Sequence, residues 1–155
     1  MKYLLTLVFA GLICAPAVAE EALTGAEDPV TLAQPDIFID AIDVDLSEFL
    51  WKKRPLVVFA DSADDPRFAM QMELLNDRLD ELAVRDVVIL TDTDPAAESA
   101  LRTKLRPRGF MLALIVKDGT IYLRKPSPWD VREITRTIDK LPERKREIRE
   151  QREAS

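Results

Sequence analysis

Residues 54–68 read RPLVVFADSADDPRF, and the fold turns on this stretch. Leu56 to Ala60 is a continuous apolar, β-branched run, the pattern of a strand buried on both faces. Asp61 to Asp65 is short and polar. Pro66 suits the first position of a helix, where its missing N–H is not needed, and Asp65 suits the cap before it. Phe68, Met72, Leu75, Leu79 and Leu82 then recur at helical spacing. Strand, polar loop and capped helix follow one another within a few residues. Redox proteins often place a reactive cysteine pair in such a loop; this one has Ser62, Ala63, Asp64 and Asp65.

Working outward, the same alternation recurs. Val87 to Leu90 reads as a second buried strand. Asp94-Pro95 repeats the cap-then-proline signature, with a helix expected to about Leu105 and an end at Arg106-Pro107-Arg108-Gly109. Phe110 to Val116 is a third apolar run. Asp118-Gly119 signals a hairpin, because glycine tolerates positive φ, and Thr120 to Arg124 is the return strand. Ser127-Pro128 reads as the cap of a helix that buries Val131, Ile134 and Ile138, with Trp129 in its first turn as a packing anchor. Upstream, Asp45 to Glu48 opens a short helix that reaches the Arg54-Pro55 break, and Ile37 to Val44 alternates only partly and is ambiguous. The resulting order is α-β-α-β-α-β-β-α. Strands joined through helices imply right-handed parallel crossovers, and the last hairpin adds an antiparallel edge. The expected fold is therefore α/β: a thioredoxin-like three-layer sandwich, its mixed sheet having parallel core strands and a C-terminal antiparallel hairpin.

The ends differ from the middle. Lys2, an apolar run from Tyr3 to Ala15 and the small residues Ala17-Val18-Ala19 form a signal-peptide pattern, with cleavage expected after Ala19 and a periplasmic or secreted destination. The apolar run falls short of the roughly 20 residues of a membrane span, so none is expected after cleavage. Residues 20–44 read as an acidic leader, 45–141 as the folded domain and 142–155 as a charged helical tail laced by Arg146–Glu150 and Arg149–Glu153. Glu20 to Phe49 carries nine acidic residues and no basic one, whereas Lys140 to Ser155 carries six basic and four acidic. Leader and tail are thus candidates to dock on one another, or either to recruit an envelope partner.

Composition narrows the chemistry further. The chain has one cysteine, Cys14, which leaves with the signal, and no histidine. The exported chain would carry 21 basic and 28 acidic residues, a net charge of −7, a poor prior for nucleic-acid binding. Thiol–disulfide exchange needs a thiolate, and serine or cysteine catalysis of the usual kind needs an imidazole base. Carboxylates, Lys, Arg, hydroxyls and backbone groups remain. The methionines Met70, Met72 and Met111 are expected to fill core. No cofactor is expected.

The chain resembles thioredoxin-like domains over about residues 45–140. It is similar in particular to P-DUDES, a peroxiredoxin-like family of bacterial secreted proteins and animal sushi-repeat extracellular proteins. The resemblance rests on Arg54 to Ala60, Ser62, Asp65-Pro66-Arg67, Arg85 to Val88, Gly109-Phe110, Lys117-Asp118-Gly119, Ile138-Asp139, Pro142, Arg144 and Glu147. It implies a fold and no established activity. Placed on the thioredoxin pattern, the redox pair falls at Ser62 to Asp65 and the cis-proline position at Met111, so the redox chemistry is lost.

Ligands of open α/β sheets bind beyond the carboxyl ends of the parallel strands. The candidate rim is therefore Asp61, Ser62, Asp64, Asp65, Arg67, Arg106, Arg108 and Met111, with Asp92 and Asp94 nearby and Lys117 at the far end. Several readings stay open. Asp65 and Asp94 could be helix caps neutralised by Arg67 or Arg108. The carboxylates could hold a hard cation, although the spacing matches no EF-hand. A helix N-terminus with Arg67 and Arg108 could hold an anion or a peptide carboxylate. An Asp pair could do acid–base work. The expected role is a binding or interaction module for an unknown envelope protein or small ligand. The alternative is carboxylate- or metal-dependent catalysis at the rim, or partnership in an envelope redox or stress pathway.

Overall fold

A computed structural model describes residues 37–154. The expected signal peptide, and the expected docking of the leader before Ile37 on the tail, fall outside the described residues. Five strands form one sheet in the order β1-β3-β2-β4-β5: β1 Phe38–Asp40, β2 Arg54–Phe59, β3 Val87–Asp92, β4 Met111–Ile115 and β5 Ile121–Lys125. β1 and β2 both run parallel to β3, whereas β4 is antiparallel to β2 and to β5. Helices α1 Pro66–Asn76, α2 Leu79–Ala83, α3 Ala100–Leu105, α4 Val131–Lys140 and α5 Pro142–Glu153 complete the fold.

The continuous apolar runs are explained by layers on both sides. Leu56 and Val58 of β2, Ile89 of β3, and Leu112 and Leu114 of β4 face α1, α2 and α4, meeting Leu75, Leu82, Ile134 and Ile138. Val57, Phe59, Leu90 and Ala113 face the other way, against Leu101 and Leu105 of α3. Alternate residues of one strand thus enter different cores, which is the three-layer sandwich the sequence implies.

The local differences have physical causes. Phe38–Asp40, ambiguous in sequence and grouped with the acidic leader, is the parallel edge strand; only three residues long, it is too short for a period to register. Arg54-Pro55 is no break. β2 begins at Arg54, and Pro55 fits because the ladder with β4 starts only at Leu56. Leu46–Phe49 is a 3-10 turn capped by Asp45 rather than an α-helix. The single helix expected after Pro66 is two, parted where Arg78 leaves helical geometry at φ −142°. The helix expected from Pro95 is likewise interrupted, because Glu98 turns left-handed and Ser99 recaps α3. Asp130, not Ser127, caps α4, so Trp129 lies just before that helix. There its backbone exchanges two hydrogen bonds with the buried Gln71 side chain, at 2.7 and 3.1 Å. Met70 is 57% exposed and no part of the core.

The largest departure is the tail. α5 is not a solvated helix but a docked one. Arg54, fully buried at the start of β2, donates to Glu143 at 3.1 Å, Glu147 at 2.8 Å and the Arg85 carbonyl at 2.9 Å. Lys117 bridges Asp86 and Glu147, each at 2.8 Å. Arg144, itself buried, reaches Glu147 and the Val84 carbonyl. The family-like residues Pro142, Arg144 and Glu147 are therefore an anchor: the proline starts the helix, and the other two join a network closed around Arg54.

Burial pushes the Glu147 carboxyl up, but hydrogen bonds from Lys117, Arg54 and Arg144 outweigh it and hold it down to about 2, against an ordinary 4.5. A carboxyl depressed in the folded state adds stability above its unfolded value, and that stability is lost as pH falls toward the folded one. Urea titrations at pH 6 and pH 3 are expected to show the wild type losing on the order of 2 kcal/mol through this group. Glu147→Gln, less stable at pH 6, should lose correspondingly less between the two. An equal loss in both proteins would exclude Glu147 as the acid-sensitive group.

Candidate functional site

β2 and β3 end side by side, tied where the Ala60 N–H donates to the Asp92 carbonyl at 3.0 Å. α3 lays Arg102 across both ends. Its Nε donates to Asp92 Oδ1 at 2.7 Å, and one Nη group donates to the carbonyls of Ala60 and Asp92. The guanidinium also stacks 5.5 Å from the Phe59 ring centre. Ser99 Oγ donates to the other Asp92 oxygen at 2.5 Å and accepts the Arg102 N–H that caps the helix. Asp92 is thus buried and saturated, and Asp94 is a cap that accepts from the Ala96 N–H at 2.9 Å. Asp92 offers no free carboxylate, whereas Asp94 is exposed and uses one oxygen for its cap. The spacing Asp92–Ser99–Arg102 gives no sequence motif, and only the break at Glu98 aims α3 back at the strand ends.

The loop after β2 is set by its own side chains. Ser62 Oγ accepts from the Asp64 N–H at 3.1 Å. Asp65 accepts from the Arg67 N–H at 2.8 Å and pairs with its guanidinium at 2.7 Å. The Arg67 side chain and these N–H donors lower the Asp65 carboxyl below its usual range. Asp61 and Asp64 stay exposed, and Asp61 lies 3.8 Å from Arg102. Among the described residues no group of three or more carboxylates is placed to hold a metal ion.

Gly109 joins this loop to the start of β4. It holds φ +67°, and a side chain there would meet Arg67 at 3.6 Å and Asp61 at 3.8 Å. Next to it, the Phe110 ring lies buried under Arg67, 5.6 Å from the guanidinium carbon. The rim residues therefore do not form one site. Asp61, Ser62, Asp64, Asp65 and Arg67 line an open, mainly acidic depression with Pro66. Arg106, Arg108 and Met111 line a second, basic one with Phe110, Arg124, Lys125 and Pro126. The reading of Arg67 and Arg108 as one anion clamp is thereby corrected: Arg67 is spent on Asp65, and Arg108 belongs to the neighbouring groove. Arg124 and Lys125 escaped the sequence reading, although the hairpin centred on Asp118-Gly119 sets Lys125 opposite Leu112.

A mixed sheet layered on both faces, with its first core strand ending in a polar loop at a helix cap, defines a thioredoxin-like domain. In this one the loop holds Ser62-Ala63-Asp64-Asp65 and no cysteine. The chain belongs to the family described as domain of unknown function (DUF4174), whose profile matches residues 45–147. Among solved structures it is similar to a reduced 2-Cys peroxiredoxin of Plasmodium vivax, at 17% identity and a TM-score of 0.50, covering 62% of this chain and 81% of that one. The exposed lipoprotein thioredoxin of Streptococcus pneumoniae aligns at 18% identity and a TM-score of 0.49, over 66% of this chain and 97% of its own. At 17% identity the likeness to the peroxiredoxin is one of fold. No curated protein sequence matches the chain. Among the described residues no helix is long and apolar enough to cross a membrane.

Proposed function

We propose that this protein is an exported binding module that keeps a thioredoxin-like scaffold and works without thiol chemistry, its contact surface being the rim at the ends of β2 and β3 and the start of β4. One observation carries the reading: at the redox position the loop presents Ser62, Asp64 and Asp65, while the sole cysteine, Cys14, lies in the signal-like leader. Arg102 ties the strand ends beneath the rim, and Gly109 brings the start of β4 close to Arg67 and Asp61, a fixed base for the exposed groups. Export is supported by the Lys2-to-Ala19 pattern and by the resemblance to P-DUDES domains of secreted proteins.

Capture from envelope extract tests the role. The immobilised protein is expected to retain a specific partner, and charge reversal at the exposed rim residues Asp61, Arg67 and Arg108 should release it. Equal capture by wild type and variants, or none above background, would refute a rim-binding module. N-terminal sequencing of the cell-derived protein should begin at Glu20; a start at Met1 would refute export through cleavage.

A further inference from the structure

Resting on that reading of the rim, we infer that its basic half, the groove of Arg106, Arg108, Arg124 and Lys125, is the part that binds, and that it takes an extended acidic segment of a partner protein. The groove is a local inversion of charge. The whole chain carries a net charge of −6, yet four cations line this one concavity and no carboxylate does. The buried and half-buried cations Arg54, Arg85, Arg102, Lys117 and Arg144 each meet a carboxylate, as does Arg67 on the neighbouring loop. Among the described residues Arg106 and Arg108 have no ion-pair or hydrogen-bond partner for their side chains, and both are exposed. Arg124 donates only to the Leu105 carbonyl, at 2.9 Å, and Lys125 sits over the Trp129 ring at 4.6 Å. Four unneutralised charges in one depression attract anions and disfavour cationic chains.

The shape selects among anions. Phe110 and Met111 underlie the groove but are buried, and of its apolar residues only Pro126 is exposed, so the cations make up most of its open face. The cations are not clustered on one loop: Arg106 and Arg108 precede β4, and Arg124 and Lys125 end β5 across from it. β5 is the outer strand of the sheet, and among the described residues no strand pairs its far side. A linear chain lying along this edge can offer backbone groups to β5 and carboxylates to the cations at both ends of the groove. The arginine and lysine on the edge also oppose its pairing with a second copy of itself. Arg106 points the same way. It closes α3 in the left-handed conformation, at φ +50°, where glycine fits with less strain.

Fluorescence anisotropy with a labelled peptide alternating glutamate and leucine tests this, with an alternating lysine–leucine peptide as control. The acidic peptide alone is expected to bind, more weakly as salt rises. Arg108→Glu and Lys125→Glu should each weaken it at least tenfold, whereas Glu48→Gln with Glu73→Gln, exposed acids outside the rim, should change it by less than twofold. Arg106→Gly should raise the melting temperature while weakening the peptide, a pair of effects that a purely structural arginine would not show. If the envelope partner of the preceding section is lost on reversal of Asp61 and Arg67 but kept in Arg108→Glu and Lys125→Glu, the rim reading stands and this inference falls. Complete displacement of the peptide by millimolar inorganic phosphate would assign a small-anion site instead. Binding to phosphatidylglycerol vesicles but not to peptide would assign a membrane surface. Either result overturns the proposal.

Discussion

A chain ending at Leu141 is expected to lose about 3–5 kcal/mol of folding stability, enough to leave a small domain marginal. Removing α5 takes away Glu143 and Glu147, and the fully buried Arg54 then keeps only the Arg85 carbonyl. An ion left in the interior without its counter-charges is among the most costly defects a fold can carry. Part of the penalty belongs to the charge left without its carboxylates and part to the helix that covers it, which gives the experiment a second arm. Arg54→Met in the shortened chain should recover a good part of the loss, because an apolar side chain of similar length needs no partner. Urea unfolding followed by circular dichroism measures both. A truncated chain with an unchanged midpoint, or no recovery from Arg54→Met, would show that Arg54 does not depend on α5.

Arg102→Ala is the second substitution expected to act strongly, at roughly 3 kcal/mol or more. It leaves the Asp92 carboxylate buried with Ser99 as its remaining side-chain donor, and it strips the Ala60 and Asp92 carbonyls of a donor each. Arg102→Lys should recover little, since an ammonium cannot reproduce a fork that reaches a carboxylate and two carbonyls together. The effect should also appear at the rim, because Arg102 binds the ends of both parallel strands. Faster hydrogen exchange at the Ala60 N–H is expected in Arg102→Ala relative to wild type. Unchanged melting and unchanged exchange would mean that the strand ends are held by the sheet alone.

The sequence reveals the sheet more readily than the site, and the reason lies in what each depends on. Buried strands and helix faces are periodic: Leu56 to Ala60, Val87 to Leu90, and Phe68 through Leu82 show their roles without knowledge of their neighbours. The caps at Asp65 and Asp94 are local too, and each bonds an N–H two residues on. What stays hidden is long-range pairing between charges. Arg54 meets carboxylates 89 and 93 residues away. Arg102 meets Asp92 across a helix break that a left-handed Glu98 creates, and a charged residue at such a position carries no signature. A highly charged tail looks alike whether solvated or docked. The rim is intermediate: topology brings its members to one edge, but only side-chain geometry shows that Arg67 turns to Asp65 and divides an acidic depression from a basic groove.

Peroxide consumption by the purified protein, without added thiol proteins, tests the separation of scaffold from redox chemistry most directly. A chain that binds at its rim and has no thiol between Glu20 and Ser155 should consume peroxide no faster than buffer, as should a Ser62→Ala, Asp64→Ala variant. Turnover above that background, abolished by those two substitutions, would mean that this loop reacts rather than binds.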